Sequence, residues 1–180
     1  MAIRFDTLPV NKPSHKDPRR QLIGATSRIM GQQFEDRLNQ SFEFYSKAGF
    51  AHVEKTPEPM KVIKSLGNGR FEACFQKKAQ PDYKGTLKGG RAIVFEAKFT
   101  ASDRVEQSRV GEMQTEYLDL QDKLGARCYV VIGFKTGNVY RIPWDVWRDM
   151  KDHFGHKYVT ENDAQQYKIA SAWNEKLMLL

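Results

Sequence analysis

PDYKGTLKGGRAIVFEAK, residues 81–98, holds a turn, a glycine break and a strand in one short stretch. Pro81 and Asp82 start a bend that Gly85 relaxes, and Gly89-Gly90 breaks the chain again. RAIVFEAKF then reads as a strand, rich in β-branched and aromatic residues. Successive side chains along a strand face opposite ways. Ile93, Phe95, Ala97 and Phe99 therefore share a core face, and Val94, Glu96 and Lys98 share the other. So apolar a strand, carrying a carboxylate and an ammonium on one face, asks for a chemical explanation. A hairpin returning Asp82 to its flank gathers two carboxylates and one lysine.

Two carboxylates are hard oxygen donors that suit Mg²⁺, which keeps several waters and binds phosphate as well. A bound divalent ion polarises a phosphate and acidifies an attacking water, and a nearby lysine stabilises the developing charge. Pro-Asp, thirteen intervening residues and then Glu-x-Lys resembles the PD-(D/E)xK nuclease superfamily. The plainer reading is a hairpin turn next to a same-face Glu-Lys ion pair.

The rest of the chain agrees with a nucleic-acid partner. Its 180 residues suit one domain with a real core, and 40% apolar and 28% charged residues are ordinary for a globular protein. A net charge of +7 favours a polyanion, although it also serves solubility. No apolar run reaches membrane-spanning length and no signal peptide is evident, which predicts a cytoplasmic protein without a membrane partner. Cys74 and Cys128 have no nearby Cys or His partners, which argues against a zinc site or disulfide framework.

Residues 1–20, with Pro9, Pro13, Pro18 and several basic side chains, read as a flexible basic arm, and 21–180 as a single domain. Residues 26–48 read as a helix capped by Thr26 or Ser27 and stopped by Gly49. Its apolar face is Met30, Phe34, Leu38, Phe42 and Tyr45, with Glu35 beside it within reach of a metal. FAHVEK, residues 50–55, alternates like a short strand. KVIKSL and RFEACFQ flank Gly67-Asn68-Gly69 and form a hairpin with basic and apolar residues interleaved. Lys61, Lys64, Arg70, Lys77 and Lys78 are its candidate DNA contacts. Residues 105–124 read as a second helix with a core stripe of Val110, Met113, Tyr117, Leu120 and Leu124. Gln114, at the edge of that stripe, is placed to hold a water or a phosphate. RCYVVIGF, residues 127–134, is an apolar strand, so residues 91–134 form a βαβ crossover and the sheet is mixed. PWDVWRDM reads as a short helix, and the segment from Tyr158 onward packs as a helix or edge strand.

KTPEPMKVIK, DYKG, FEAK and MQTEYL occur here in the order seen in the RecU Holliday junction resolvases, and GQQFEDRLN fits upstream. From about Gly31 to the C-terminus the chain resembles that family. The resemblance implies a mixed central sheet flanked by helices, restriction-endonuclease-like, with a projecting hairpin stalk at about residues 57–78. It also implies a homodimer that nicks two strands of a four-way DNA junction with Mg²⁺, for which Mn²⁺ substitutes. A recombinase partner, unidentified, goes with that role. Residue by residue, Asp82 and Glu96 match the metal carboxylates, Lys98 the motif lysine, Glu35 the acid of the first helix and Gln114 a glutamine after the motif. Two departures stand out. Pro81 replaces a serine or threonine before the aspartate, and Ile29-Met30 replaces Asn-Arg before Gly31, where Arg28 stands in out of register. They point to a diverged member, with a bacterial or phage origin. A nuclease for another DNA structure and a non-catalytic junction binder are the alternatives.

Overall fold

The computed structural model describes residues 18–57, 59–75, 80–170 and 176–180. It is a mixed α/β layer structure, as the resemblance implies. A long helix, α1 (Pro18–Lys47), leads into β1 (Ala51–Lys55). A hairpin, β2 (Met60–Gly67) and β3 (Arg70–Phe75), follows, and the chain rejoins the sheet at β4 (Tyr83–Leu87) and β5 (Ala92–Thr100). Next come β6 (Arg104–Glu106), α2 (Glu112–Lys123), β7 (Arg127–Phe134) and β8 (Val139–Pro143). Two short helices, α3 (Trp144–Arg148) and α4 (Met150–Phe154), and β9 (Tyr158–Thr160) complete the order.

The central sheet runs β1-β4-β5-β7-β8. Among the described residues only β5 and β7 pair in parallel, and α2 makes the crossover between them. Alternation along the strands splits the core in two. Phe34, Leu38, Phe42 and Tyr45 of α1 bury against Val53, Tyr83, Ile93, Phe95 and Val131 on one face. Leu118 of α2 and Trp144, Trp147 and Met150 bury against Val94, Val130, Ile132 and Ile142 on the other. The tail completes the first face, where Leu177 and Leu179 are buried and Ser41 Oγ accepts the Leu177 amide at 2.9 Å.

Several expectations need correction. The first helix starts at Pro18, so residues 18–20 belong to it and not to an arm, and residues 1–17 lie outside the described set. Proline suits a first helical position because its missing N–H has no partner there anyway. Thr26 is no cap: its hydroxyl donates to the Leu22 carbonyl at 3.0 Å, the i−4 bond open to a threonine inside a helix. Residues 105–111 are not helical but form β6 and a 3-10 turn, Gln107–Arg109. The α2 stripe is also rotated. Val110 and Leu118 are buried, Tyr117 packs part-buried, and Met113, Leu120 and Leu124 are exposed. The sheet takes the side that carries Gln114 and Leu118, and Trp144 Nε1 ties the helix further by donating to Asp119 Oδ1 at 2.8 Å. Gly85 does not relax a bend but lies within β4 opposite Val53. A Cβ there would sit 2.0 Å from the His52 carbonyl oxygen, so only glycine admits β1 this close.

The hairpin forms a separate two-stranded sheet. Every described side chain from Met60 to Cys74 is exposed, including Met60, Val62, Ile63, Leu66 and Phe71. Its tip turns through Gly67, Asn68 and Gly69, all at positive φ, where glycine and asparagine are tolerated.

Candidate active site

Asp82 closes the approach to β4, and Glu96 and Lys98 project from β5 on the face that α2 covers. Glu96 is 1% exposed. So buried a carboxylate needs several donors. Glu96 Oε2 accepts the Asp82 amide at 3.1 Å, while Oε1 accepts Lys98 Nζ and, at 2.8 Å, Gln114 Nε2. The Asp82 carboxylate in turn accepts the Ala97 amide at 3.1 Å. Each acid is thus tied to the backbone of the other's strand.

Gln114 is held from both ends. It occupies the third position of α2, and its Oε1 accepts the amide of Gly111, the residue before the helix, at 3.2 Å. That is the glutamine half of a capping box. The segment before α2 is pinned by Gln107, whose Nε2 donates to the carbonyls of Trp147 and Arg148 at 2.8 and 2.7 Å.

The electrostatics follow from burial. Desolvation, then the neighbouring charge of Asp82, pushes Glu96 from its ordinary 4.5 up to about 7, against the pull of Lys98. Burial, followed by the charges of Glu35, Asp82 and Asp36, pushes the Tyr83 phenol up, and its hydroxyl donates to Asn39 Oδ1 at 3.1 Å. Two neighbouring carboxylates, with Lys98 bonded to one of them, present hard oxygen donors side by side. A hydrated divalent cation with hard-oxygen preferences fits that donor set.

Asp82, Glu96, Lys98 and Gln114 therefore come together. Glu35 goes elsewhere, to an ion pair with Lys55 at the end of β1. Among the described residues no group of three or more Asp, Glu, His or Cys forms a metal cluster, and the charges of Glu35 and Asp82 both act on Tyr83. Arg28 lies exposed on α1, with its Nε bonded to the Gly24 carbonyl at 3.3 Å. Lys61, Lys64 and Arg70 lie along the exposed hairpin, while Lys77 and Lys78 fall outside the described residues. Two neighbours of the site escaped the sequence reading: Lys55, opposite Tyr83, and Thr56, next in line. Strand alternation put Lys55 on the face of Val53, but its nearness to Asp82 needed the β1–β4 register.

The sequence matches the family model described as "RecU: Recombination protein U" over residues 29–179. The chain belongs to the RecU family. Similar RecU relatives include "Holliday junction resolvase RecU" of Ligilactobacillus salivarius, 26% identical over 175 residues, covering 93% of this chain and 78% of that one. The protein of the same name from Bacillus pumilus is 31% identical over 137 residues, covering 68% and 66%. A solved structure of Archaeoglobus fulgidus Hjc, described as a Holliday junction resolvase from an archaeal hyperthermophile, overlaps at TM-score 0.46 with 17% identity, covering 76% of this chain and 88% of that one. That last likeness is too distant to bear on the site.

Proposed function

We propose that this RecU-family chain is a structure-selective, divalent-metal-dependent endonuclease that resolves four-way DNA junctions. One observation carries the reading: Asp82 and Glu96 are interlocked through each other's strands, with Lys98 and Gln114 on the same carboxylate. An ordinary Glu-Lys ion pair needs neither the second acid nor the glutamine.

Asp82 and Glu96 are the residues that would hold the metal, Mg²⁺ with Mn²⁺ as a substitute. The ion supplies Lewis acidity toward a phosphate and lowers the pKa of a water. The chain does the rest. Reciprocal backbone bonds hold the two acids in a fixed place relative to each other. Lys98, 17% exposed beside the buried Glu96, swings toward charge that builds on a phosphate oxygen. Gln114 orients Glu96 from the first turn of α2 and presents the same amide to an incoming water. Glu35 and Lys55 form a neutral flank on the α1 side.

Selectivity for a branch falls to the hairpin, the stalk of this reading, taken as Pro57 to Lys78. Lys61, Lys64 and Arg70 meet phosphates there, and the exposed apolar residues meet unstacked bases. Arg28 on α1 and, outside the described residues, Lys77 and Lys78 are further candidate DNA contacts. A junction offers two equivalent strands, so a two-fold dimer of this chain is the matching assembly. Among the described residues no helix is long and apolar enough to cross a membrane.

The test is incubation with a synthetic four-way junction and an equal-length duplex, each with Mg²⁺ or with EDTA. Paired nicks in the junction that need metal support the reading. Equal cutting of both substrates favours a general nuclease, and metal-independent binding without cutting favours a junction binder.

A further inference from the structure

Thr56 lies where β1 passes the chain to the hairpin. Its amide donates to the Asp82 carbonyl at 2.7 Å, one step beyond the last ladder pair, Lys55 opposite Tyr83. Thr56 is therefore the cross-strand neighbour of Asp82, and such side chains share a face. Val53 and Tyr83 face α1 in the preceding registers. Alternation puts Thr56 and Asp82 on the opposite face, that of Glu96. Thr56 is 8% exposed, and its hydroxyl is shut off from solvent without a hydrogen-bond partner. Buried hydroxyls in folded proteins nearly always have one, and a buried water or ion is a common reason when the protein supplies none.

We infer that Thr56 is a positioning residue of the cleavage site: its hydroxyl hydrogen-bonds a water of the divalent ion held at Asp82 and Glu96. The inference rests on the metal-site reading proposed for those two acids. Mg²⁺ keeps several of its waters, and neighbours that orient those waters tune affinity as ligands do. A threonine hydroxyl suits the place because it accepts from a polarised water and donates to a phosphate oxygen. The bond from its amide to the Asp82 carbonyl keeps it opposite that residue.

Thr56→Val removes the hydroxyl and keeps the branched shape, while Thr56→Ser keeps the hydroxyl. Isothermal titration with Mg²⁺ and melting of the metal-free protein are run on wild type, both variants and Asp82→Ala. Thr56→Val is expected to bind Mg²⁺ about tenfold more weakly. Its metal-free melting temperature stays or rises, since an unmatched buried hydroxyl gives way to a methyl. Thr56→Ser binds close to wild type, and junction cleavage at limiting Mg²⁺ follows the same order. Wild-type Mg²⁺ affinity in Thr56→Val, or a metal-free protein that melts clearly lower, means that the hydroxyl has a structural partner and overturns the inference. A wild type that binds no Mg²⁺, or an Asp82→Ala that binds it undiminished, defeats the metal site itself and this inference with it.

Discussion

The amide of Asp82 donates to Glu96 Oε2 at 3.1 Å, and the Asp82 carboxylate accepts from the amide of Ala97, the residue after Glu96, at the same distance. The two acids are therefore one unit spanning β4 and β5. Charge and shape can be separated by Asp82→Asn, which keeps an acceptor for Ala97 and removes the anion. Asp82→Asn, Asp82→Ala and Glu96→Ala are each expected to slow junction cleavage about a thousandfold, the equivalent of about 4 kcal/mol. Junction binding, carried mostly by phosphate contacts, persists in all three. Lys98→Ala cripples cutting likewise, and Glu35→Gln, on the flank, costs less. Single-turnover cleavage beside a gel-shift titration reads all of these, and wild-type rates in Asp82→Asn would remove that residue from the site.

Glu96 gives a pH signature. Burial first, and the charge of Asp82 second, raise its folded value to about 7 from 4.5. The folded state thus holds that proton more tightly than the unfolded state does. Stability from this group is fully present below 4.5 and is lost as pH rises through 7. Metal-free wild type should therefore melt progressively lower relative to Glu96→Gln between those limits. Mg²⁺ should raise the wild-type melting temperature more at pH 8 than at pH 5.5, and do little for Glu96→Gln. A melting difference between the two proteins that is flat with pH would contradict the raised acid.

Gly85 is a steric prediction. A methyl there meets the His52 carbonyl oxygen at 2.0 Å and Val53 Cα at 2.6 Å, both backbone atoms that cannot rotate away. Gly85→Ala is expected to lower stability by about 1–3 kcal/mol as β1 is pushed off β4. Asp82 lies three residues upstream, so cleavage should suffer beyond the loss of folded protein. Urea unfolding with activity per folded molecule measures both, and an undisturbed midpoint would show that the strands part freely.

The hairpin predicts selectivity. Replacing Met60 to Ala73 with a short Gly-Ser turn should leave the Asp82, Glu96 and Lys98 site folded. Removing one lysine–phosphate or arginine–phosphate pairing lowers the salt slope of junction binding by about one unit. Junction resolution should fall steeply and preference over duplex should shrink, as read by paired titrations across a salt series. Full preference in the shortened protein would make the hairpin an ordinary one.

Assembly is checked by mass. Sedimentation at micromolar concentration should report twice the 20.8 kDa of one chain. A monomer both free and on a junction would be incompatible with paired cutting.

Much of this architecture was legible in the residues. The alternation of AIVFEAKF placed Glu96 and Lys98 on one face, and the structure keeps them there. The order strand, helix, strand implied the parallel β5–β7 pair. Glycines marked the hairpin tip. Other features depended on long-range packing that periodicity does not encode. Helical spacing marks Met113, Leu120 and Leu124 as a stripe, yet the side that packs is the adjacent one carrying Leu118. Glu35 carries the right chemistry but spends it on Lys55, a partner set by the β1–β4 register. Gly85 looks like a turn glycine until His52 is seen lying against it.

The chain leaves β1 at Thr56 ahead of the hairpin, and after the hairpin it lies beside Thr56 again at Asp82. Thr56 and Asp82 are neighbours, joined by the Thr56 amide and the Asp82 carbonyl, and Asp82 is one of the acids proposed to hold the metal. A force applied at the tip, by a duplex arm bent around it, has a short lever path into β1 and β4. Under the proposed reading, tension that branched DNA exerts on the ribbon would reach β4, the strand that brings Asp82 beside Glu96 of β5. In such a layout, sensing the branch and setting the blade would be mechanically one act.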